Sequence, residues 1–286
     1  MNVRNIVIIG SGTMGSQIGM VAALNGFNTT VVDISDDQLS KAEEMLHGRM
    51  ARDVTKGKRT QNQVDDAFGR LSFSTDQARA VSDADLVIEA ATENIAVKRT
   101  IFEELSKQAP EHAILATNSS NIVSSQIADS TIRPERVCNM HFFNPVLIME
   151  CCEVLGHENT ASEVLDSVTE VAEKMGKQVV RLNKEIPGFV ANRILAAIRD
   201  EGLSLYKSGV ASFEDIDKAC RTALRHPMGP FQLMDLTGID VVHAIGEARY
   251  EQTGDESARP DEEITRLLNE GKLGRKTGQG WYTYDS

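Results

Sequence analysis

Ile6-Val7-Ile8-Ile9 runs directly into Gly10-Ser11-Gly12-Thr13-Met14-Gly15, and the helical stretch that follows can end at Asn25-Gly26. A strand, a glycine turn and a helix in that order leave few folds open. Gly10 permits the tight turn, Gly12 lets backbone approach a pyrophosphate, and Gly15 allows close helix packing, so phosphates would rest on a helix N-terminus. Asp33 stands 23 residues after Gly10, at the end of the next strand-like run, where a carboxylate binds ribose hydroxyls. An acid there repels a 2′-phosphate, so the motif predicts NAD in preference to NADP. FAD is the chemical alternative, although no second flavin motif accompanies the turn.

The β-branched runs continue: Thr29–Val32, Leu86–Ile88, Ile114–Ala116, Val137–Met140, Met149–Leu155 and Val179–Leu182 alternate with helical stretches. This pattern predicts an α/β fold with a Rossmann-like, doubly wound sheet over residues 1–184. Residues 40–68 are charged and hold no strand-like run, so they read as a helical excursion turning at Lys56-Gly57-Lys58. After Pro187-Gly188 the β pattern stops, and Ser212-Phe213-Glu214-Asp215, Gly229-Pro230 and Gly238 punctuate helices, which predicts a smaller all-α domain over 187–286.

The 286 residues are 41% hydrophobic and 25% charged, the make-up of a globular chain with core enough to need no staple. The net charge of −12 is spread over both halves, and no basic face for nucleic acid is expected. Gly10 stops the first aliphatic run too early for a secretory or membrane segment, so a cytoplasmic chain without a membrane partner is expected. Cys138, Cys151, Cys152 and Cys220 lack C-x-x-C spacing and read as reduced apolar residues. The six histidines form no ligand cluster, so no metal is expected.

Chemistry then falls to a cofactor and to side chains. Open α/β sheets bind ligands beyond the carboxyl ends of their strands. Two strand-like runs lead there into polar segments: Thr117-Asn118-Ser119-Ser120-Asn121 and His141-Phe142-Phe143-Asn144-Pro145, and the next run offers Glu153. A dehydrogenase needs a base for the hydroxyl proton, and imidazole suits it. A carboxylate on the other ring nitrogen fixes the tautomer, while a hydroxyl holds the reacting oxygen. His141, Glu153 and Ser120 are residues of those types.

These segments identify a resemblance. The chain resembles the L-3-hydroxyacyl-CoA dehydrogenases, especially the short bacterial 3-hydroxybutyryl-CoA dehydrogenases, over essentially its whole length. Besides the glycine turn with Asp33, it is carried by Ile88-Glu89-Ala90 with Glu93-Asn94, by Asn118-Ser119-Ser120 with His141 to Val146, and by Pro187-Gly188-Phe189-Val190-Ala191-Asn192-Arg193. His226-Pro227-Met228-Gly229-Pro230 and Leu273 to Gly280 complete the set.

The resemblance implies a His–Glu catalytic pair at His141 and Glu153, with Ser120 and Asn192 contacting the substrate oxygen. The family's 21-residue interval before the histidine selects Ser120 over Ser119. It also implies a cofactor site of Gly10, Gly12, Thr13, Met14, Gly15, Asp33, Glu93, Lys98, Ser120 and Asn144, and a homodimer made by the α-helical part.

Arg49, Arg52, Lys56, Lys58 and Arg59 stand against the single acid Asp53, an island of positive charge that would attract phosphates. In the resembling family this excursion contacts CoA, so Arg52, Lys56 and Ser120 are the expected acyl-CoA contacts. Leu147 to Cys152 departs from the family's usual Pro-Val-Met-Lys-Leu-Val, with Glu150 reversing the lysine's charge, and Asn139 replaces a glycine. The expected reaction is reversible, NAD-dependent oxidation of a short-chain (S)-3-hydroxyacyl-CoA. The alternatives are a dehydrogenase of free hydroxy acids, of carnitine or gulonate type, and a non-enzymatic, crystallin-like NAD-binding protein.

Overall fold

The structure, a computed structural model, describes residues 2–284. One compact unit reaches to Val190 and a second begins at Ala191. The first is built on an eight-stranded sheet: β1 Asn5–Ile9, β2 Asn28–Val32, β3 Leu71–Ser74, β4 Leu86–Glu89, β5 Ile114–Thr117, β6 Val137–Phe142, β7 Cys151–Gly156 and β8 Gln178–Arg181. Their order is β3-β2-β1-β4-β5-β6-β7-β8, and every neighbouring pair is parallel except β6 with β7. The chain winds one way from β1 to β3 and the other way from β4 onward, so the switch point lies between β1 and β4. That is where such sheets bind ligands.

The first unit's helices are α1 Thr13–Leu24, α2 Asp36–Thr55, α3 Gln61–Phe68, α4 Gln77–Val81, α5 Ile95–Gln108, α6 Ser125–Ala128 and α7 Ser162–Lys174. Both faces of the sheet are covered. Ile6, Ile8, Met140, Phe142 and Val154 pack on one side with α1 and α7, while Val7, Val87, Leu115 and Phe102 of α5 pack on the other. This two-sided burial explains why the central strands read as continuous apolar runs.

Two details depart from the sequence reading. β3 has no counterpart among the expected strands. Leu71 and Phe73 alternate with serines over only four residues, and an edge strand beside β2 needs no longer apolar run. The excursion therefore returns to the sheet. β7 begins at Cys151, not Met149, because the Ile148 and Met149 N–H groups both donate to the Pro145 carbonyl at 2.9 Å, drawing those residues into a tight turn.

The excursion is helical as expected, from α2 through a turn at Gly57 (φ +67°) to α3. Leu39, Ala42, Leu46, Met50 and Asp53 recur at helical spacing as the buried stripe of α2. His47 of α2 stacks on Phe68 of α3 with ring centroids 3.9 Å apart.

The second unit holds α8 Ala191–Lys207, α9 Phe213–Thr222, α10 Pro230–Thr237, α11 Ile239–Thr253 and α12 Glu262–Asn269. Leu203, Ile216, Phe231, Met234, Ile239 and Trp281 lie in its core. Two buried carboxylates tie it together. Asp217 accepts the Phe231 and Gln232 N–H groups at the start of α10, and Asp235 accepts those of Trp281 and Tyr282, all at 2.9 Å. Among the described residues no helix is long and apolar enough to cross a membrane, and no His, Cys, Asp or Glu cluster could hold a metal.

Candidate active site

The glycine turn leaves β1 at the switch point. Gly10 has φ +99°, and a Cβ there would stand 2.6 Å from the Ala91 Cα, so only glycine fits. A Cβ on Gly15 would stand 1.9 Å from the Gly10 carbonyl oxygen, which accounts for the close helix packing. Gly12 is different: a Cβ there would meet no atom within 4 Å, and no side chain caps α1. The first-turn N–H groups, including those of Thr13 and Met14, are thus left for an anion beside an open surface. This cradle fits a dinucleotide's phosphates.

Asp33 follows β2 and is half-buried. Its Oδ2 accepts the Ser11 N–H and hydroxyl, each at 2.8 Å, and its Oδ1 accepts a longer bond from the Ser35 N–H at 3.3 Å. The carboxylate is therefore anchored to the glycine turn through one oxygen, a posture suited to receiving ribose hydroxyls with the other.

At the far side of the switch point, β6 and β7 pair antiparallel with His141 directly opposite Glu153. Cross-strand neighbours on one face are close enough for side-chain contact. Here His141 Nδ1 and Glu153 Oε2 are 2.9 Å apart, with the two residues 5% and 1% exposed. The imidazole packs against two rings, Phe143 at 4.4 Å and Phe189 at 5.1 Å between centroids. Glu153 Oε1 accepts the Val190 N–H at 2.9 Å. A base held by a buried carboxylate can take up a proton without losing its orientation.

Ser120 follows β5 and is half-buried, and its carbonyl accepts the Gly188 N–H at 3.1 Å. Asn144 lies exposed in the turn after β6. Asn192 stands in the first turn of α8, in the second unit. Glu93 is exposed on the loop after β4 and accepts a short hydrogen bond from the Ser119 hydroxyl.

Lys98, expected to line the cofactor site, is only 1% exposed. Its ammonium pairs with the fully buried Glu89 and reaches the Thr117 hydroxyl at 3.2 Å. Glu89 also accepts the Thr117 hydroxyl at 2.8 Å and the Ala91 N–H at 2.9 Å. A buried carboxylate at the end of β4 requires a counter-charge, and Lys98 supplies it. The pair fixes the ends of β4 and β5, next to the Glu93 loop. In the sequence Glu89 and Thr117 appear only as members of their motifs, with no role of their own, because nothing in a linear string shows that an acid at a strand end is buried.

On the excursion, the nearly buried Asp53 lies 3.6 Å from Arg49 Nε and 4.0 Å from Arg59 Nε. Arg52, Lys56 and Lys58 stand exposed around them. One acid thus holds two of the five cations, and the remaining charge faces solvent.

Comparison with known proteins shows the family. Residues 5–186 match the family described as 3-hydroxyacyl-CoA dehydrogenase, NAD binding domain, and residues 188–284 match its C-terminal domain. The chain belongs to the 3-hydroxyacyl-CoA dehydrogenase family. It is 39% identical to the probable 3-hydroxybutyryl-CoA dehydrogenase of Bacillus subtilis, over 100% of this chain and 99% of that one. The crystal structure of (S)-3-hydroxybutyryl-CoA dehydrogenase PaaH1 from Ralstonia eutropha superposes with a TM-score of 0.90 at 35% identity, covering both chains fully. A diketoreductase described as acting on dicarbonyl compounds superposes at 0.89 with 34% identity, covering 99% of this chain and all of that one. As a 3-hydroxyacyl-CoA dehydrogenase, the chain is an NAD-dependent oxidoreductase with a Rossmann-like sheet.

Proposed function

We propose that this enzyme catalyses the reversible oxidation of a short-chain (S)-3-hydroxyacyl-CoA, such as 3-hydroxybutyryl-CoA, to the 3-oxoacyl-CoA. The observation that carries the reading is the buried 2.9 Å contact between His141 Nδ1 and Glu153 Oε2 at the end of β6. It occupies one ring nitrogen with a carboxylate and leaves Nε2 to meet a proton. His141 Nε2 takes the C3 hydroxyl proton as C3–O becomes a carbonyl, and Glu153 stabilises the imidazolium that forms. Ser120 and Asn192 donate hydrogen bonds to the reacting oxygen. The cradle of Gly10, Gly12, Thr13, Met14 and Gly15, with Asp33, Glu93, Ser120 and Asn144, would hold NAD, which supplies the acceptor for the hydride leaving C3. Lys98 serves that site through Glu89.

The exposed cations Arg52 and Lys56 support a role in attracting CoA phosphates. The substrate domain is assigned to residues 187–286 and the cofactor domain to 1–184. A homodimer through the second part is supported by the exposed apolar side chains of Ile194, Leu195, Leu236, Val241 and Ile245. Four free cysteines support a reducing compartment, the cytoplasm. The likeness to a diketoreductase favours, as a second reading, a carbonyl substrate without CoA.

Replacement of the base tests the assignment. His141→Gln is expected to lower turnover by about 10³-fold or more while leaving the Kd for NADH within about twofold. Turnover retained in that variant contradicts the role of His141.

A further inference from the structure

Phe189 has φ +49°, in the left-handed region, although it is a bulky residue and fully buried. Such a conformation is costly for any side chain with a Cβ and persists where the surroundings hold it. The preceding Gly188 adopts φ +77° freely.

Phe189 is held by a local turn, its own N–H donating to the Ile186 carbonyl at 3.1 Å, and by residues assigned to catalysis. Before it, the Gly188 N–H donates to the Ser120 carbonyl at 3.1 Å. After it, the Val190 N–H donates to Glu153 Oε1 at 2.9 Å. The Phe189 ring lies 5.1 Å from the His141 ring, inclined by 59°, and packs with Val123 and Leu155. Upstream, the Glu185 carboxylate accepts the Ser124 hydroxyl at 2.8 Å and the Ser125 N–H at 2.9 Å, so the segment is anchored at both ends.

We propose that Phe189 is a positioning residue for proton transfer, bracing the His141 ring and presenting the Val190 N–H to Glu153. The inference rests on the reading of His141 as the base. A carboxylate held through both oxygens cannot swing away from the imidazole, and an imidazole backed by Phe143 and Phe189 cannot tip. Small misplacements of such groups cost rate steeply, about 10²-fold for roughly 1 Å.

Glycine at this position separates a ring that positions from a turn that merely needs φ above zero. Glycine satisfies the backbone and removes the ring. Phe189→Gly is expected to lower the single-turnover rate of acetoacetyl-CoA reduction by about 10-fold to 100-fold, with the Kd for NADH unchanged within about twofold. Phe189→Leu, which keeps part of the bulk but not the ring against His141, is expected to fall between that variant and the wild type, about 3-fold to 10-fold below wild type.

A wild-type rate in Phe189→Gly, or a loss confined to NADH affinity, overturns the proposal. If Phe189→Gly shows no cooperative melting transition, Phe189→Leu decides. A rate about 3-fold to 10-fold down with unchanged NADH affinity supports the role, and an unchanged rate overturns it. His141→Gln, run alongside, keeps the two ideas apart. An inactive His141→Gln beside a fully active Phe189→Gly removes only the positioning role, whereas an active His141→Gln removes the base itself.

Discussion

The end of the β6–β7 pair and the excursion of α2 and α3 both carry the charges that the proposed reaction needs, but they are built in opposite ways. His141 and Glu153 are 5% and 1% exposed, opposite each other in a strand register, and braced by Phe143, Phe189 and the Val190 N–H. On the excursion, Arg52, Lys56 and Lys58 stand in solvent, and only Arg49 and Arg59 have an acid beside them. Proton transfer depends on fractions of an ångström, so its groups must be over-determined. Attraction of a phosphate works through a diffuse field that long, mobile side chains supply equally well.

This contrast predicts different kinetic signatures. Glu153→Gln keeps the shape of the pair but removes its charge and can set the wrong histidine tautomer. It is expected to lower kcat by about 10²-fold to 10⁴-fold with little change in KM for the thioester, read by steady-state kinetics. If KM rose instead and kcat held, the pair would be a binding element like the excursion, and the contrast would collapse.

The double variant Lys56→Glu with Lys58→Glu is expected to do the reverse. KM for acetoacetyl-CoA should rise by about 10-fold, with kcat and the KM for NADH within about twofold. The penalty should shrink as salt is raised from low ionic strength, because exposed charges are screened. An unchanged KM would show the excursion to be a solvated helix pair with no part in binding.

The smallest effect concerns stability, at the opposite end of β1 and β4 from the site. Burial pushes the Asp85 carboxyl up, but the Asn5 and Arg4 N–H groups and His112 outweigh it and hold the carboxyl below its ordinary value. A lowered folded pKa means that the unfolded chain binds the proton more readily. The stabilisation is therefore full above the ordinary carboxylate value of about 3.9 and is lost as pH falls through the lower folded one. Asp85→Asn should lower the Tm by about 2–4 °C near neutral pH and by progressively less toward pH ~3, followed by thermal melts. An equal difference at both pH values would show that the carboxylate's charge is not what matters.

The parts of the site that were legible in the sequence are those with local chemical signatures. Gly10 and Gly15 are required by backbone geometry, Gly12 leaves the surface open for a phosphate, and Asp33 is marked by its place after a strand. His141 and Glu153 could be named as candidates because each lies on a strand-like run, and it is the family resemblance that pairs them. The parts that were not legible depend on tertiary placement. Nothing local marks Glu89 as buried or Lys98 as its counter-ion, since both facts follow from the packing of β4, β5 and α5. Phe189 reads as one apolar residue of a motif, and its positive φ belongs to the folded turn, where its own N–H donates to the Ile186 carbonyl and Ser120 and Glu153 accept the neighbouring N–H groups.

Asn139 lies between these cases. It is a polar residue where the family resemblance leads one to expect glycine, and the structure buries it completely. Its Nδ2 donates to the Ile122 carbonyl at 3.0 Å, while its Oδ1 meets no hydrogen-bond partner among the described residues.

The most direct measurement is NADH oxidation with acetoacetyl-CoA, followed by the loss of nicotinamide absorbance, beside free acetoacetate and beside NADPH. Rapid turnover with NADH and the thioester, with little for free acetoacetate or NADPH, is the expected result. It would join the Asp33 cradle, the His141–Glu153 pair and the basic excursion in one reaction. Turnover of acetoacetate and none of acetoacetyl-CoA would contradict the CoA reading and turn attention to Leu147 and Glu150 as determinants of a different carbonyl substrate.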